Sequence, residues 1–390
     1  MRYWNLSCFV SYAFFLRELY MKIKNIECIM LSYIPEIKPI DGLSDIASRD
    51  VFLVKVFTDD GCVGIGEGFA LGSLRSLAAI VDETLRPLLI GQDPRDIERL
   101  WHRMYRSTFR YGRRGLVLPA ISAIDMALWD ILGKSVNLPV YKLAGGCRDR
   151  ITAYASGGYY LEGKGMDALT AEAAKYASQG FKRMKMKIGL MSIKKDLERI
   201  SEVQKALGPD MDLAVDSNNA YDFNQALAMG RKLDEMGIAF FEEPISSDYL
   251  DASIRLAEQL DVPIAGYETE VTGYGMKDFI IRRGVDIAQV DAIWSGGITE
   301  CLKVASLAGM FGMKIIPHFS AAVVSLAANI QFGAMVSNCE WFELTQDPNP
   351  LRDELAIDPI VVDKGDMVLP DRPGLGIELN EKVLEKYRVR

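Results

Sequence analysis

From about residue 150 onward the chain alternates short apolar runs with amphipathic stretches of helical period. Leu213-Ala214-Val215, Ala239-Phe240-Phe241 and Ile287-Ala288-Gln289-Val290 are runs of strand character, and each is followed by a carboxylate. Gly180, Gly208, Gly237, Gly284 and Gly312 fall just before the next run, where a helix stops on a left-handed residue. Repeated strand–helix units imply a parallel sheet. This many in series favours closure into a barrel over a doubly wound sheet. The expected class is α/β, a (β/α) barrel of the TIM type over residues 149–364.

The pattern before residue 149 is different. Two strand-like segments, one opening at Met21 and one at Val51–Phe57, lead into Thr58-Asp59-Asp60-Gly61, a hairpin signal. Helical stretches near 73–89, 94–107 and 116–134 follow, the last with Ile121, Ile124, Leu128, Ile131 and Leu132 at helical spacing. Strands followed by helices describe an α+β domain over 21–148. Leu369-Pro370-Asp371-Arg372-Pro373-Gly374 cannot continue a helix, so the tail 365–390 is expected to leave the barrel and join that first domain. Residues 1–20 are apolar but broken by Arg17 and Glu18. They are too short a run to span a bilayer and lack a small-residue cleavage site, so they read as an N-terminal extension.

Seven polar positions recur along the barrel pattern: Lys187 (with Lys185), Asp216, Glu242, Glu268, Asp291, His318 and Glu340, in steps of 22 to 29 residues. One unit of an eight-unit barrel of roughly 250 residues takes about 31, and such a barrel carries its chemistry at the C-terminal strand ends. In Lys185-Met186-Lys187 the lysines alternate with an apolar residue, so a barrel strand turns both inward. Two adjacent ammonium groups are expected to depress each other's pKa, which makes a lysine a base near neutral pH. Any one carboxylate among Asp216, Glu242 and Glu268 reads equally well as a helix cap. Three at successive strand ends converge on one mouth, and an all-oxygen set of this kind suits Mg²⁺ first and Mn²⁺ second. Asp291 and His318 end adjacent strands, within hydrogen-bond reach, so the carboxylate fixes the histidine's tautomer. Glu340 is the remaining rung, with Glu343 competing for the place. Ser295-Gly296-Gly297-Ile298 reads as a tight turn into a helix rather than a phosphate loop.

Composition removes other classes. A net charge of −8 without a Lys/Arg cluster argues against nucleic acid and anionic membrane as partners. Six scattered cysteines without a C-x-x-C pair read as reduced thiols of a cytoplasmic protein. Two histidines exclude a His-rich zinc site.

Taken in order, Lys185-Met186-Lys187, Asp216-Ser217-Asn218, Phe241-Glu242-Glu243-Pro244, Pro263-Ile264-Ala265-Gly266-Tyr267-Glu268, Asp291 ahead of Gly296-Gly297-Ile298-Thr299, and Pro317-His318 resemble the enolase superfamily, specifically its mandelate racemase subgroup. The resemblance covers about 21–390. It implies an N-terminal α+β capping domain on a modified TIM barrel, with Mg²⁺ on Asp216, Glu242 and Glu268. It also implies Lys187 as one acid/base and His318 with Asp291 as the other, Lys185 as electrostatic partner, and Glu340 as the acid beside the substrate carboxylate. Tyr267 departs from the second glycine often found before the third ligand, which bears on local pocket shape.

The implied reaction is removal of the proton α to a carboxylate, giving an enediolate. Dehydration of an acid sugar to a 2-keto-3-deoxy acid is the favoured outcome. Racemisation, epimerisation or cycloisomerisation by the same two bases is the alternative, and a non-catalytic binding barrel is remote because every required side chain is present. Specificity is expected where the capping domain meets the barrel: the loop Pro35–Arg49, the turn around Glu67-Gly68-Phe69 and the segment Arg110–Arg114. Asn218 and Arg114 are the candidate substrate-binding residues. The expected partner is a small carboxylate, in a homo-oligomer.

Overall fold

The computed structural model describes residues 21–389 and contains a small antiparallel sheet with helices, set on a closed barrel. The extension expected over residues 1–20 lies outside the described residues. Strands β1 (Ile23–Tyr33), β2 (Arg49–Thr58) and β3 (Val63–Phe69) pair in that order, with Asp59-Asp60-Gly61 turning β2 into β3.

The pleat of β2 divides its side chains between two cores. Phe52, Val54 and Val56 pack with the helices Ile97–Thr108 and Val117–Ser135, while Val51 and Leu53 face the barrel. Strand β3 makes the same division more sharply. Gly64, Gly66 and Gly68 lie against Val117–Ser135, where a β-carbon on any of them would collide with the main-chain oxygens of Ala127, Ala123 or Pro119. The helix therefore lies directly on the strand backbone, and Ile65, Glu67 and Phe69 are left pointing at the barrel. Val117–Ser135 is buried along most of its length, including Ile121, Ile124 and Leu128. Truncating any of these to alanine would cost about 2–5 kcal/mol. The three residues Glu67-Gly68-Phe69 end a strand and do not form the turn read from the sequence, because Phe69 N still donates to Ile293 O at 3.0 Å.

Eight parallel strands form the barrel: β4 (Arg150–Gly157), β5 (Arg183–Lys187), β6 (Asp212–Asp216), β7 (Phe241–Glu242), β8 (Ile264–Gly266), β9 (Ile287–Val290), β10 (Lys314–Pro317) and β11 (Trp341–Thr345). β11 returns to pair with β4, and a bridge from Ile315 to Cys339 closes the remaining gap. Helices follow each strand, but the one after β11 is a single turn, Pro350–Asp353. The helix Phe223–Met236 shows how the sequence sets these units. Asp222 caps its start through a capping box with Gln225, and Gly237 ends it in the left-handed conformation. Ser295-Gly296 turns into the helix Gly297–Met310.

The tail behaves differently from expectation over its first residues. β12 (Val362–Asp363) and β13 (Asp366–Val368) form a hairpin, and β13 pairs antiparallel with β4, so the chain is still on the barrel at Val368. Only beyond it does the tail reach the first domain. There Leu375 N bonds Asp130, Leu31 bridges Arg388, and Val389 N donates to Met30 O at 2.8 Å. Among the described residues no helix is long and apolar enough to cross a membrane.

Candidate active site

Register sets the height of the site. Lys187 pairs with Asp216 and Asp216 with Glu242, so three rungs sit level on β5, β6 and β7. Pro317 pairs with Val290, which brings His318 level with Asp291. Beneath them Tyr154, Ala214, Phe240, Ala265 and Ile316 fill the barrel as an apolar floor. Charges placed above such a floor are cut off from water on one side, which strengthens every interaction among them.

Lys185 is fully buried, and its Nζ lies 2.6 Å from Glu242 Oε1, 2.7 Å from Glu343 Oε1 and 3.1 Å from Asp216 Oδ2. Lys187 Nζ donates to Asp216 Oδ2 at 2.5 Å. Burial opposes the positive charge on both lysines. For Lys185 it is outweighed by Asp216, Glu242 and Glu343, and for Lys187 by Asp216, so both pKa values are raised. This corrects the expected depression: the like-charge effect of Lys185 on Lys187 is present but smaller than that of Asp216.

The carboxylates show the converse strain. Burial and then Asp216 push Glu242 well above the ordinary glutamate range, and burial raises Glu268 despite His318 beside it. Asp216 alone of the three is held low, because Lys185 and Lys187 outweigh its burial. Among the described residues no three His, Cys, Asp or Glu side chains stand in ligating geometry, since Asp216 and Glu242 are turned onto the lysines. The donor set nonetheless fits a hard divalent cation. All three groups present oxygen at adjacent strand ends, and Glu268 Oε2 is buried without a hydrogen bond. Commitment of Asp216 to a cation would withdraw the counter-charge that now holds Lys187 protonated.

On the other side, His318 Nδ1 donates to Asp291 Oδ2 at 2.9 Å, which leaves Nε2 facing the cleft, 3.3 Å from Glu268 Oε2. Burial opposes the imidazolium, but Glu268 and the Asp291 hydrogen bond raise its pKa to about 10. Asp291 is itself oriented, since its Oδ1 accepts from Asn329 Nδ2 at 2.8 Å and from Ile293 N at 3.0 Å. Asn329 lies on the helix Val323–Met335, whose N-terminus is capped by Glu67 from β3. Glu67 accepts from Ala322 N at 3.0 Å and Ser325 N at 2.7 Å. Burial nevertheless raises the Glu67 carboxyl to about 7. A stack of Phe69 on Trp294, with centroids 3.8 Å apart, adds a second tie between the small sheet and the loop after β9.

A cleft of about 960 Å³ including its open mouth lies between the small sheet and these strand ends. Lys187, Asn218, Glu268 and His318 line it from the barrel, and Arg49 and Glu67 from the sheet. Asn218 donates its main-chain N–H to Asp216 Oδ1 at 2.8 Å, and its side-chain oxygen is buried without a partner. Lys185 lies one layer deeper, beneath Asp216 and Glu242.

Two expected residues are placed elsewhere. Glu340 precedes β11, is 55% exposed and pairs with Lys314 at the opposite end of the barrel, so it cannot meet a substrate here. Its competitor Glu343, two residues into β11 beyond Trp341, is 2% exposed and faces Lys185. Lys185 and His318 together outweigh the burial of Glu343 and keep it ionised. Arg114 is largely exposed and pairs with Glu270 and Asp248 outside the cleft. Tyr267 points away from the mouth. Its hydroxyl is 2.9 Å from Ser253 Oγ and its ring is near Phe279, so its bulk goes to helix packing. Gln289, not picked out from the sequence, donates to Glu242 Oε2 at 2.9 Å from inside the barrel. Its signal is the same i, i+2 alternation with Asp291 that turns Lys185 inward with Lys187.

Family models match both parts of the chain. Residues 26–145 match the mandelate racemase/muconate lactonizing enzyme N-terminal domain, and 168–383 match the enolase C-terminal domain-like family. The chain belongs to the mandelate racemase subgroup of the enolase superfamily. It is 44% identical over 351 residues to an arabinonate dehydratase of Saccharolobus solfataricus, across 90% of this chain and 94% of that one. Among solved members of the superfamily, the 3,6-anhydro-D-galactonate cycloisomerase from Zobellia galactanivorans superposes with a TM-score of 0.87. It is 38% identical, over 95% of this chain and 100% of that one. A racemase from Streptomyces coelicolor A3(2), solved with bound magnesium, superposes with a TM-score of 0.87 at 28% identity, over 94% and 100% of the two chains. The subgroup's fold, a capping domain on a modified barrel, is the one described above.

Proposed function

We propose that this enzyme removes the proton α to the carboxylate of an acid sugar and eliminates the β-hydroxyl as water, giving a 2-keto-3-deoxy acid. The observation that carries the reading is the pairing of two unlike proton-transfer groups, Lys187 and the His318–Asp291 pair, around one cleft. Their strands are separated by β11 and β4 around the barrel, so they reach a bound substrate from different sides. Identity to an arabinonate dehydratase supports dehydration as the outcome.

Asp216, Glu242 and Glu268 are the residues that would hold Mg²⁺, or Mn²⁺ in its place. When bound, the ion supplies positive charge where the carboxylate oxygens gain electron density. Lys187 in its neutral form takes the α-proton, and the C–H electron pair becomes the new C–C double bond of the enediolate. Lys185 holds positive charge beneath that site throughout, since Glu343, which would not be a metal ligand, stays 2.7 Å from it as counter-charge. As the enediolate collapses, the β C–O bond breaks and His318 gives its Nε2 proton to the departing oxygen. The resulting enol then takes a proton at C3 and becomes the ketone. Asp291 stabilises the charged imidazole before transfer and keeps Nε2 directed at the cleft.

Cycloisomerisation is the second reading, and the likeness to the Zobellia cycloisomerase favours it. It needs the same α-proton step, with a different fate for the enediolate. Incubation of acid sugars with the Mg²⁺-loaded enzyme in D₂O separates these outcomes. Formation of 2-keto acids carrying deuterium at C3 is expected, and chelation of the metal is expected to abolish it. Deuterium gained at C2 without a keto product would replace dehydration with racemisation, and turnover confined to anhydro or lactone acids would replace it with cycloisomerisation.

A further inference from the structure

Beyond the strand ends, the far wall of the cleft is built from the small sheet, the loop leading to it, and the segments after β10 and β11. Its ionisable lining residues are Asp41, Arg49, Asp50 and Glu67, and Tyr159, after β4, lies against Arg49. The three acids are already satisfied. Asp41 accepts from Leu43 N and Ser44 N, Asp50 from Ser32 Oγ and Gly72 N, and Glu67 from Ala322 N and Ser325 N. Arg49 is the one cation of this wall among the described lining residues, and it is 8% exposed. Its Nη2 donates to Asp347 Oδ2 at 2.5 Å and its Nη1 to Ser320 Oγ at 3.3 Å, while Nε is buried without a partner.

These contacts fix the sign of the wall. Asp347 cancels the charge of Arg49, and the other ionisable groups are acids. A second carboxylate at the far end of a substrate would be stripped of water and set against negative charge, with no free cation to receive it. A neutral chain of hydroxyls meets the opposite conditions: a guanidinium donor still unused at Nε, and Ser44, Ser320 and Thr269 lining the same cleft.

We propose that the substrate is an aldonic acid, with one carboxylate at the strand ends and an uncharged polyhydroxy tail. Arg49 reads a hydroxyl of that tail, and Asp347, by cancelling the charge of Arg49, leaves the wall acidic and so excludes aldaric (dicarboxylic) acids. This rests on the acid-sugar reading above and narrows it.

The test compares kcat/KM of the Mg²⁺-loaded enzyme for aldonic and aldaric acids of matched length and configuration. Wild type should favour the aldonate by about 10-fold or more, because like charge opposing a buried carboxylate is costly. Asp347→Asn leaves Arg49 uncompensated and should move the ratio toward the aldarate by about 10-fold. The double variant Arg49→Gln/Asp347→Asn restores the wild-type net charge of the wall. It should keep the aldonate preference while raising KM for the aldonate more than it lowers kcat. Equal or better turnover of aldarates by wild type overturns the inference and leaves the acid-sugar reading intact. So does an unchanged ratio in folded Asp347→Asn. If that variant does not fold, the wild-type ratio and the double variant still decide. α-Proton exchange with neither class would overturn the acid-sugar reading itself, and this inference with it.

Discussion

The two proton-transfer groups of this site are held in contrasting ways. The ion pairs that hold Lys187 all lie within the barrel: Asp216 at 2.5 Å, with Lys185 below it and the Glu242 and Glu343 that fix Lys185. His318 stands at the head of a relay that leaves the barrel, through Asp291 and Asn329 to a helix whose N-terminus is capped by Glu67 of the small sheet. One base is positioned by strand register alone. The other depends on the capping domain being seated.

The largest break in this comparison comes from removing each base in turn. Lys187→Met and His318→Asn should each lose about 10²–10⁴-fold in exchange of the α-proton on their own side of the substrate. Exchange measured with C2-epimeric acids in D₂O should show opposite stereochemical losses. Equal losses on both sides in both variants would contradict two independent bases. Glu343→Gln should lower kcat/KM by about 10²-fold on both sides alike, since it acts through Lys185, which serves the developing charge and neither base in particular.

Glu67→Gln sharpens the comparison at smaller cost. It should slow exchange on the His318 side by about 10-fold and leave the Lys187 side within about twofold, as an orienting contact reached through Asp291, Asn329 and the helix N-terminus would. It should also change the pH dependence of stability. The folded-state pKa of Glu67, raised by burial to about 7, lies above its ordinary value of 4.5. Its contribution is therefore fully present below about 4.5 and lost as pH rises through 7, on the order of 3 kcal/mol. Thermal melts across that window should fall less steeply in the variant; an unchanged slope would mean the carboxyl titrates normally. The smallest effect belongs to Glu340→Gln, which should stay within about 0.5 kcal/mol of wild type and keep full activity, because Glu340 is an exposed ion-pair partner on the wrong end of the barrel.

Much of the barrel was legible because its signals are local. Strand-length apolar runs, a carboxylate or histidine closing each run, and glycines before the next run all fall within a few residues of one another. Glu340 shows where that reading slips. Asp216, Glu242, Glu268, Asp291 and His318 each close an apolar run, whereas Glu340 opens one, and the step from His318 to Glu343 would have been the more regular choice. Phase within β11 decides it, since Trp341 and Glu343 share the inward face. The lysine pKa values went the other way from expectation for a different reason. Adjacent ammonium groups are visible in sequence, but the three carboxylates that outweigh them arrive from β6, β7 and β11. Arg49, Glu67 and Asn329 had no local signal for their roles. Their partners are 298, 258 and 38 residues distant; seating of the sheet on the barrel brings the first two pairs together, and packing of the helix Val323–Met335 on the barrel the third.

The glycine face of β3 gives the capping domain a defined thickness. With no side chain at Gly64, Gly66 or Gly68, the distance from the long helix to the barrel mouth is set by bare backbone, and the opposite face of that strand carries Glu67 and Phe69 into the cleft. Each glycine thus works as a shim of zero height. Adding a methyl group at one of them would drive Glu67 and Phe69 toward His318, or tilt the sheet away from it. The dimensions of the substrate chamber could therefore be retuned, by evolution or by design, through positions that no substrate ever touches.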